Sequence, residues 1–253
     1  MIEDPKHWFE GVPRVLFVHA HPDDETIITG GTLAALAESG QEPLLVTLSR
    51  GEQGEAVPGT VADVDPQGLA AHRMTELAGA LAALGIDRHV FLGAGPARAE
   101  GLPPRIYEDS GMMWGADGRA TAAAEADDEA LTAAPVMEVL NDLVAAAHDA
   151  GAGAIVSYDN GGGYGHPDHV LAHRAARAVA HALELPFWEA VSSADARAES
   201  AVEAYDISPW LDRKVAALRA HASQVTVDGD ELVHVGGQRQ AIDAVERFRR
   251  VIA

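Results

Sequence analysis

The chain contains no cysteine. That excludes disulfides, thiolate metal sites and cysteine nucleophiles together. Positive charge is also scarce: 18 Lys and Arg stand against 39 Asp and Glu, a formal charge of −21. So acidic a surface argues against nucleic acid and anionic membranes as partners, because both would repel it. It leaves an anionic small substrate open, since local charge decides that. No apolar run approaches the ~20 residues that span a bilayer. Residues 1–10 carry acids and lack an apolar stretch, so they do not read as a signal peptide. These absences predict a soluble, cytoplasmic protein. The oligomeric state stays open, a homo-oligomer included.

What is present points to one large domain. Its 253 residues are 47% hydrophobic, enough to bury a sizeable core. We expect a single domain over residues 1–253, with a core at about 12–191 and a helix-and-strand portion at about 205–253. Short Val/Leu/Ile runs predict strands over residues 14–19, 43–48, 89–92, 154–157 and 186–191. Helical spacing of apolar residues predicts helices over 27–39, 69–84, 133–150, 167–183, 209–221 and 238–252, with a short strand at 231–235. No period of 20–50 residues repeats. Strands that are apolar throughout belong to a sheet covered on both faces. The order therefore implies an α/β fold, a Rossmann-like, doubly wound, mostly parallel sheet with site loops at the carboxyl ends of its strands. The loop running to about residue 68 is long enough to be functional. Residues 93–132, with Pro103-Pro104 and Asp127-Asp128-Glu129, read as a wall of the site. Residues 192–208 are acidic and weakly patterned.

Two of those loops carry the chemistry. His19-Ala20-His21-Pro22-Asp23-Asp24-Glu25 follows the first strand, and Tyr164-Gly165-His166-Pro167-Asp168-His169 follows the strand at 154–157. A catalytic zinc takes three His or carboxylate ligands and keeps one position open. His21 and Asp24 can turn inward together while Asp23 points elsewhere, as a base beside a metal would. His166 and His169 lie three apart, so one can complete the metal set while the other faces a substrate carbonyl. Acids at a helix start can also serve only the macrodipole, yet His-Pro-Asp occurring twice between strand and helix exceeds what capping requires. His72, His89, His148, His173, His181 and His234 read as surface, capping or core residues. Gly161–163 suggests a phosphate cradle only weakly, because no Gly-Lys-Ser/Thr ending follows.

The paired motifs His-Pro-Asp-Asp-Glu and His-Pro-Asp-His resemble the PIG-L/LmbE-like family of zinc-dependent sugar N-deacetylases. Within it the chain is similar to the mycothiol-pathway N-acetylglucosaminyl-inositol deacetylase branch. Further stretches carry that likeness: Gly51-Glu52-Gln53-Gly54-Glu55, Arg73-Met74-Thr75-Glu76-Leu77, Asp109-Ser110-Gly111-Met112 and residues 214–224. The resemblance implies His21, Asp24 and His169 as zinc ligands and Asp23 as general base. It implies His166 as oxyanion stabiliser or general acid, with Asp168 as its partner, and Tyr164 polarising the amide carbonyl. Arg73 and Asp109 would hold substrate hydroxyls, with Glu55 and Met112 in the same pocket. Ile28 departs from the polar residue expected there, and the segment after Leu183 is shorter.

The function so implied is hydrolysis of the N-acetyl group of an N-acetylglucosamine-type sugar by a zinc-bound water, releasing acetate. Iron(II) suits the same two-His, one-Asp set. An amidase for a mycothiol-type conjugate or another N-acyl glycoside is the alternative. A non-catalytic sugar or metal binder is a third reading, against which the presence of Asp23 argues.

Overall fold

The computed structural model describes residues 4–62, 64–115, 120–122, 128–191 and 202–251. Asp127, residues 192–201 of the acidic stretch and the last two residues lie outside them. The amino-terminal half supplies β1 (Val15–His19), α1 (Asp24–Glu38), β2 (Leu44–Thr47), α2 (Pro66–Leu84) and β3 (His89–Phe91). A small hairpin of β4 (Met112–Trp114) and β5 (Ala120–Ala122) follows. Next come α3 (Val136–Ala150), β6 (Ala154–Tyr158), α4 (Pro167–Ala182) and β7 (Phe187–Ala190). The chain ends with β8 (Val202–Asp206), α5 (Leu211–Ala220), β9 (Val225–Asp228), β10 (Glu231–His234), β11 (Arg239–Ala241) and β12 (Val245–Val251).

The main sheet has seven strands in the order β3-β2-β1-β6-β7-β12-β8. The first five are mutually parallel, and β12 runs antiparallel to both β7 and β8. Because side chains alternate along a strand, Leu16 and Val18 of β1 face one layer while Val15 and Phe17 face the other. Both pairs are fully or almost fully buried. Leu16, Val46 and Ile155 pack with Leu143 of α3 and Val179 of α4. On the opposite face Phe17, Leu45 and Val156 pack with Leu33 of α1, Leu81 of α2 and Ala217 of α5. The sheet is doubly wound, as the uninterrupted apolar runs require.

Local chemistry sets the helix ends. Asp65 caps α2 by accepting the Gly68 N–H at 2.8 Å, and Pro66 occupies the first turn. Among the described residues no helix is long and apolar enough to cross a membrane.

The expected helix over residues 238–252 is corrected: β11 and β12 occupy that stretch. In Val245–Val251 the buried residues Glu246 and Phe248 are two apart, a strand period. The Glu246 carboxylate accepts the Gly31 and Thr32 N–H groups of α1 at 2.9 and 2.8 Å and pairs with Lys214 at 2.7 Å. Residues 202–206 of the weakly patterned stretch also form a strand, β8, beside β12.

Candidate functional site

Strand order fixes where the two motif loops meet. From β1 the chain builds outward through β2 to β3, and from β6 it builds the other way, so the order reverses between the adjacent strands β1 and β6. A crevice opens at the carboxyl ends of strands at such a reversal. Both loops rise there.

The first loop is held from below. Tyr158, the last residue of β6, accepts the Ala20 N–H at 2.7 Å and donates its hydroxyl to Asp24 Oδ2 at 2.7 Å. Asp24, expected before the helix, forms its first turn. Asp23 precedes it at φ 118°, ψ −35°, a region that costs a non-glycine residue on the order of 1–3 kcal/mol. The surroundings over-determine it. Glu25 Oε2 accepts the Asp23 N–H at 2.9 Å, and Arg73 donates to the Pro22 carbonyl at 2.6 Å while standing 3.5 Å from the Asp23 carboxylate. Gly51 admits that guanidinium: a Cβ there would lie 2.0 Å from Arg73 Nη1.

The second loop is ordered by Asp159, whose Oδ1 accepts the Gly161 and Gly163 N–H groups. Gly162 needs its φ of +62°, and a Cβ on it would come 2.8 Å from that of His169. Its carbonyl takes His169 Nδ1 at 3.2 Å and leaves Nε2 facing His21 Nδ1 at 3.3 Å. His166 caps α4, its Nδ1 accepting the Asp168 N–H at 3.1 Å. The proton of neutral His166 therefore sits on Nε2. The Asp168 carboxylate goes to His21 Nε2 at 3.1 Å and accepts the Ser110 N–H. This corrects the expected pairing: Asp168 touches His166 only through its backbone, because its place in the first helical turn aims the side chain across the crevice.

Three donor atoms now form a triangle. His21 Nδ1, Asp24 Oδ2 and His169 Nε2 stand 3.4, 3.2 and 3.3 Å apart. Corners of a tetrahedron on bonds of ~2.0–2.1 Å are separated by about 3.3–3.4 Å. The fit to a tetrahedral metal is close. A second grouping, His21, Asp109, His166 and Asp168, also gathers its ligand atoms within 4.8 Å. It would need His21 Nε2, which Asp168 already engages. A carboxylate on the far nitrogen of a histidine is how metal-ligating rings are oriented.

The charges are polarised. Burial opposes a charged His21, yet Asp109, Asp168 and Asp24 raise its affinity for a proton well above the ordinary range. Asp24 is held well below it, with His169 and His21 overcoming burial. Burial pushes Asp23 up to about 6, with Asp24 and Glu25 adding and Arg73 opposing. Burial, then His21 and His169, pull His166 down to about 2, so its ring is neutral near pH 7.

Of the residues expected at the site, His21, Asp24, His166, His169, Asp168 and Asp109 converge within the crevice, Asp109 Oδ1 lying 3.5 Å from His21 and 3.9 Å from His166. The half-exposed Tyr164 ring stands 5.1 Å from that of His169 and 6.1 Å from that of His166. Met112, half-buried, opens β4 three residues beyond Asp109. Two are placed otherwise. Arg73 is buried beneath the loop, its guanidinium committed to the Pro22 and Gly51 carbonyls and to Asp23. Glu55 is exposed, and Gln224 contacts only its carbonyl; the buried acid of that loop is Glu52, which accepts the Asp109 N–H at 3.0 Å. Ile28 packs against both hydrophobic layers. His221 was not expected here: fully buried, it bonds Glu25 at 2.8 Å.

The family described as GlcNAc-PI de-N-acetylase, PIG-L, matches residues 16–180. A Kineococcus radiotolerans protein named 1D-myo-inositol 2-acetamido-2-deoxy-alpha-D-glucopyranoside deacetylase is 39% identical, over 94% of this chain and 77% of its own length. A deacetylase of teicoplanin biosynthesis, solved with teicoplanin, superposes with a TM-score of 0.64 at 18% identity, over 94% of this chain and 98% of that one. The 4-carboxy-2-hydroxymuconate hydratase GalB of Pseudomonas putida also superposes, with a TM-score of 0.59 at 18% identity over 95% and 96% of the two chains. One fold thus serves a deacetylase and a hydratase, and the reaction has to be read from the site. By its family match and by its identity to that Kineococcus protein over nearly its whole length, this chain belongs to the PIG-L family.

Proposed function

We propose that the chain is a metal-dependent hydrolase that removes the N-acetyl group from an N-acetylglucosaminyl-inositol-like sugar, releasing acetate. The observation that carries this is the tetrahedral spacing of His21 Nδ1, Asp24 Oδ2 and His169 Nε2 beside a strained Asp23 whose carboxylate lies against Arg73. The relative at 39% identity is named for that reaction. Those three residues would hold the metal, zinc in our reading, with iron(II) compatible with the same donors. Zinc, when bound, supplies a Lewis acid for the acetamido carbonyl and the attacking water.

The chain's own residues do the rest. Asp23 accepts a proton from the attacking water; an affinity raised by burial makes it a better base than an exposed carboxylate. The same proton is the one the departing amine must gain, so Asp23 can return it. His166 turns its Nε2–H towards the crevice and hydrogen-bonds the oxyanion as the carbonyl carbon becomes tetrahedral. The Tyr164 phenol is protonated near pH 7, as an ordinary phenol is, and donates to the carbonyl oxygen. Asp168 orients His21, and Asp109 presents a carboxylate to sugar hydroxyls.

Acetate release by the metal-loaded protein tests this. N-acetylglucosaminyl-inositol should be turned over faster than simple N-acetyl sugars, and a chelator should abolish the reaction. Cleavage of a mycothiol S-conjugate amide without acetate release from any sugar would establish the amidase alternative instead. No turnover of any amide would leave a binder.

A further inference from the structure

Glu25 ends the first motif, and His221 lies in the stretch 214–224; neither has a part in the chemistry above. Both are fully buried. An aspartate at a helix N-cap ordinarily accepts a backbone N–H of the first turn with its own side chain. Asp23 does not: it makes no side-chain capping bond, and its carboxylate faces Arg73. Its backbone is tied down instead by the acid two residues on, Glu25 Oε2 taking the Asp23 N–H at 2.9 Å. A capping-box acid engages the N-cap amide from the third helical position; here Glu25 does so from the second, and the N-cap side chain is released.

Glu25 is itself fixed from two sides. Its Oε1 accepts Thr26 Oγ1 at 2.5 Å and His221 Nε2 at 2.8 Å. His221 Nδ1 has no partner among the described residues, so the ring's one hydrogen-bonding commitment there is through Nε2. His221 follows α5 and lies 196 residues from Glu25, so the carboxyl-terminal part of the chain reaches back to the first loop. A buried carboxylate needs partners. These partners form a line from His221 through Glu25 to the amide of Asp23, whose φ is positive.

We infer that Glu25 and His221 are a positioning pair that locks Asp23 in its strained conformation and thereby aims its carboxylate into the crevice. The inference rests on the reading of Asp23 as the base. Neither residue touches substrate, and both act through Asp23.

His221→Gln should lower kcat by about 10–100-fold, the usual effect of a supporting partner behind a reactive group. KM and metal content should stay within about twofold. A double-mutant cycle isolates the route. In an Asp23→Asn background, His221→Gln should cost less than about twofold more, because the group it serves is gone. Glu25→Gln keeps an oxygen for the Asp23 N–H and should retain more kcat than Glu25→Ala. Thermal melting and metal analysis accompany each variant, and where His221→Gln does not fold the Glu25 pair decides alone. Multiplying effects in the cycle, or equal losses for Glu25→Gln and Glu25→Ala, would overturn the inference. If Asp23→Asn itself kept wild-type kcat, the base assignment would have failed and the pair's role with it; an impaired Asp23→Asn beside an unaffected His221→Gln would sink only the pair.

Discussion

Asp23 and Asp24 are adjacent, yet their surroundings divide them. Asp24 faces two histidines and stays ionised, whereas Asp23, partly buried beside Arg73, Asp24 and Glu25, rises from 3.8 to about 6 because burial outweighs Arg73. The division has a thermodynamic sign. Below the unfolded value both states keep the proton, and the ionisation of Asp23 costs the fold nothing. As pH climbs, the unfolded chain ionises first, so stability is lost progressively until folded Asp23 ionises near 6. In the metal-free protein Asp23→Asn should therefore be more stable at pH 7, by roughly 1–3 kcal/mol. That advantage should vanish near pH 3, below the unfolded value. Denaturant midpoints at the two pH values check it; equal stabilities at pH 7 would deny that Asp23 is strained by its charge. At this scale the sequence was informative wherever partners are local. His21 with Asp24, and His166 with His169, could be placed by a three-residue spacing. The link from Glu25 to His221 could not, since nothing short-range connects residues 196 apart.

At the scale of elements, the parallel strands were legible because each is apolar on both faces and bounded by turn residues. β12 was not. Arg247, Arg249 and Arg250 surround Phe248 and mimic the polar face of a helix, while the buried acid Glu246 reads as solvent-facing until its partners are known. Those partners make a firm prediction. Removing one member of a buried, hydrogen-bonded ion pair typically costs roughly 3–5 kcal/mol. Glu246→Ala strips Lys214 of its counter-charge and two α1 amides of their acceptor, so it should lose about that much in a denaturant melt. A loss no larger than that of an exposed acid would mean β12 does not pin α1. The amino-terminal turn was likewise unread: Trp8 and Phe9 are buried, and Trp8 stacks on Tyr205 of β8 with centroids 4.4 Å apart. No periodicity announces an anchor of two residues.

Across the whole molecule, the reversal of strand order between β1 and β6 does the assembling. Loops whose His21 and His169 are 148 residues apart in the chain are brought together because their strands are neighbours, and α5 with its following turn closes the underside of the first loop. Acidity spread over the surface sets no partner by itself; the functional charges are the few that the crevice buries. The central claim is that ligand and base are separate members of the Asp-Asp pair. Metal content and kcat measured together on Asp23→Asn and Asp24→Asn test it most directly. We predict that Asp23→Asn binds metal like the wild type while kcat falls by ~10²–10⁴-fold, and that Asp24→Asn loses the metal. An Asp23→Asn protein without metal beside a fully loaded Asp24→Asn would contradict the account, exchanging the two roles.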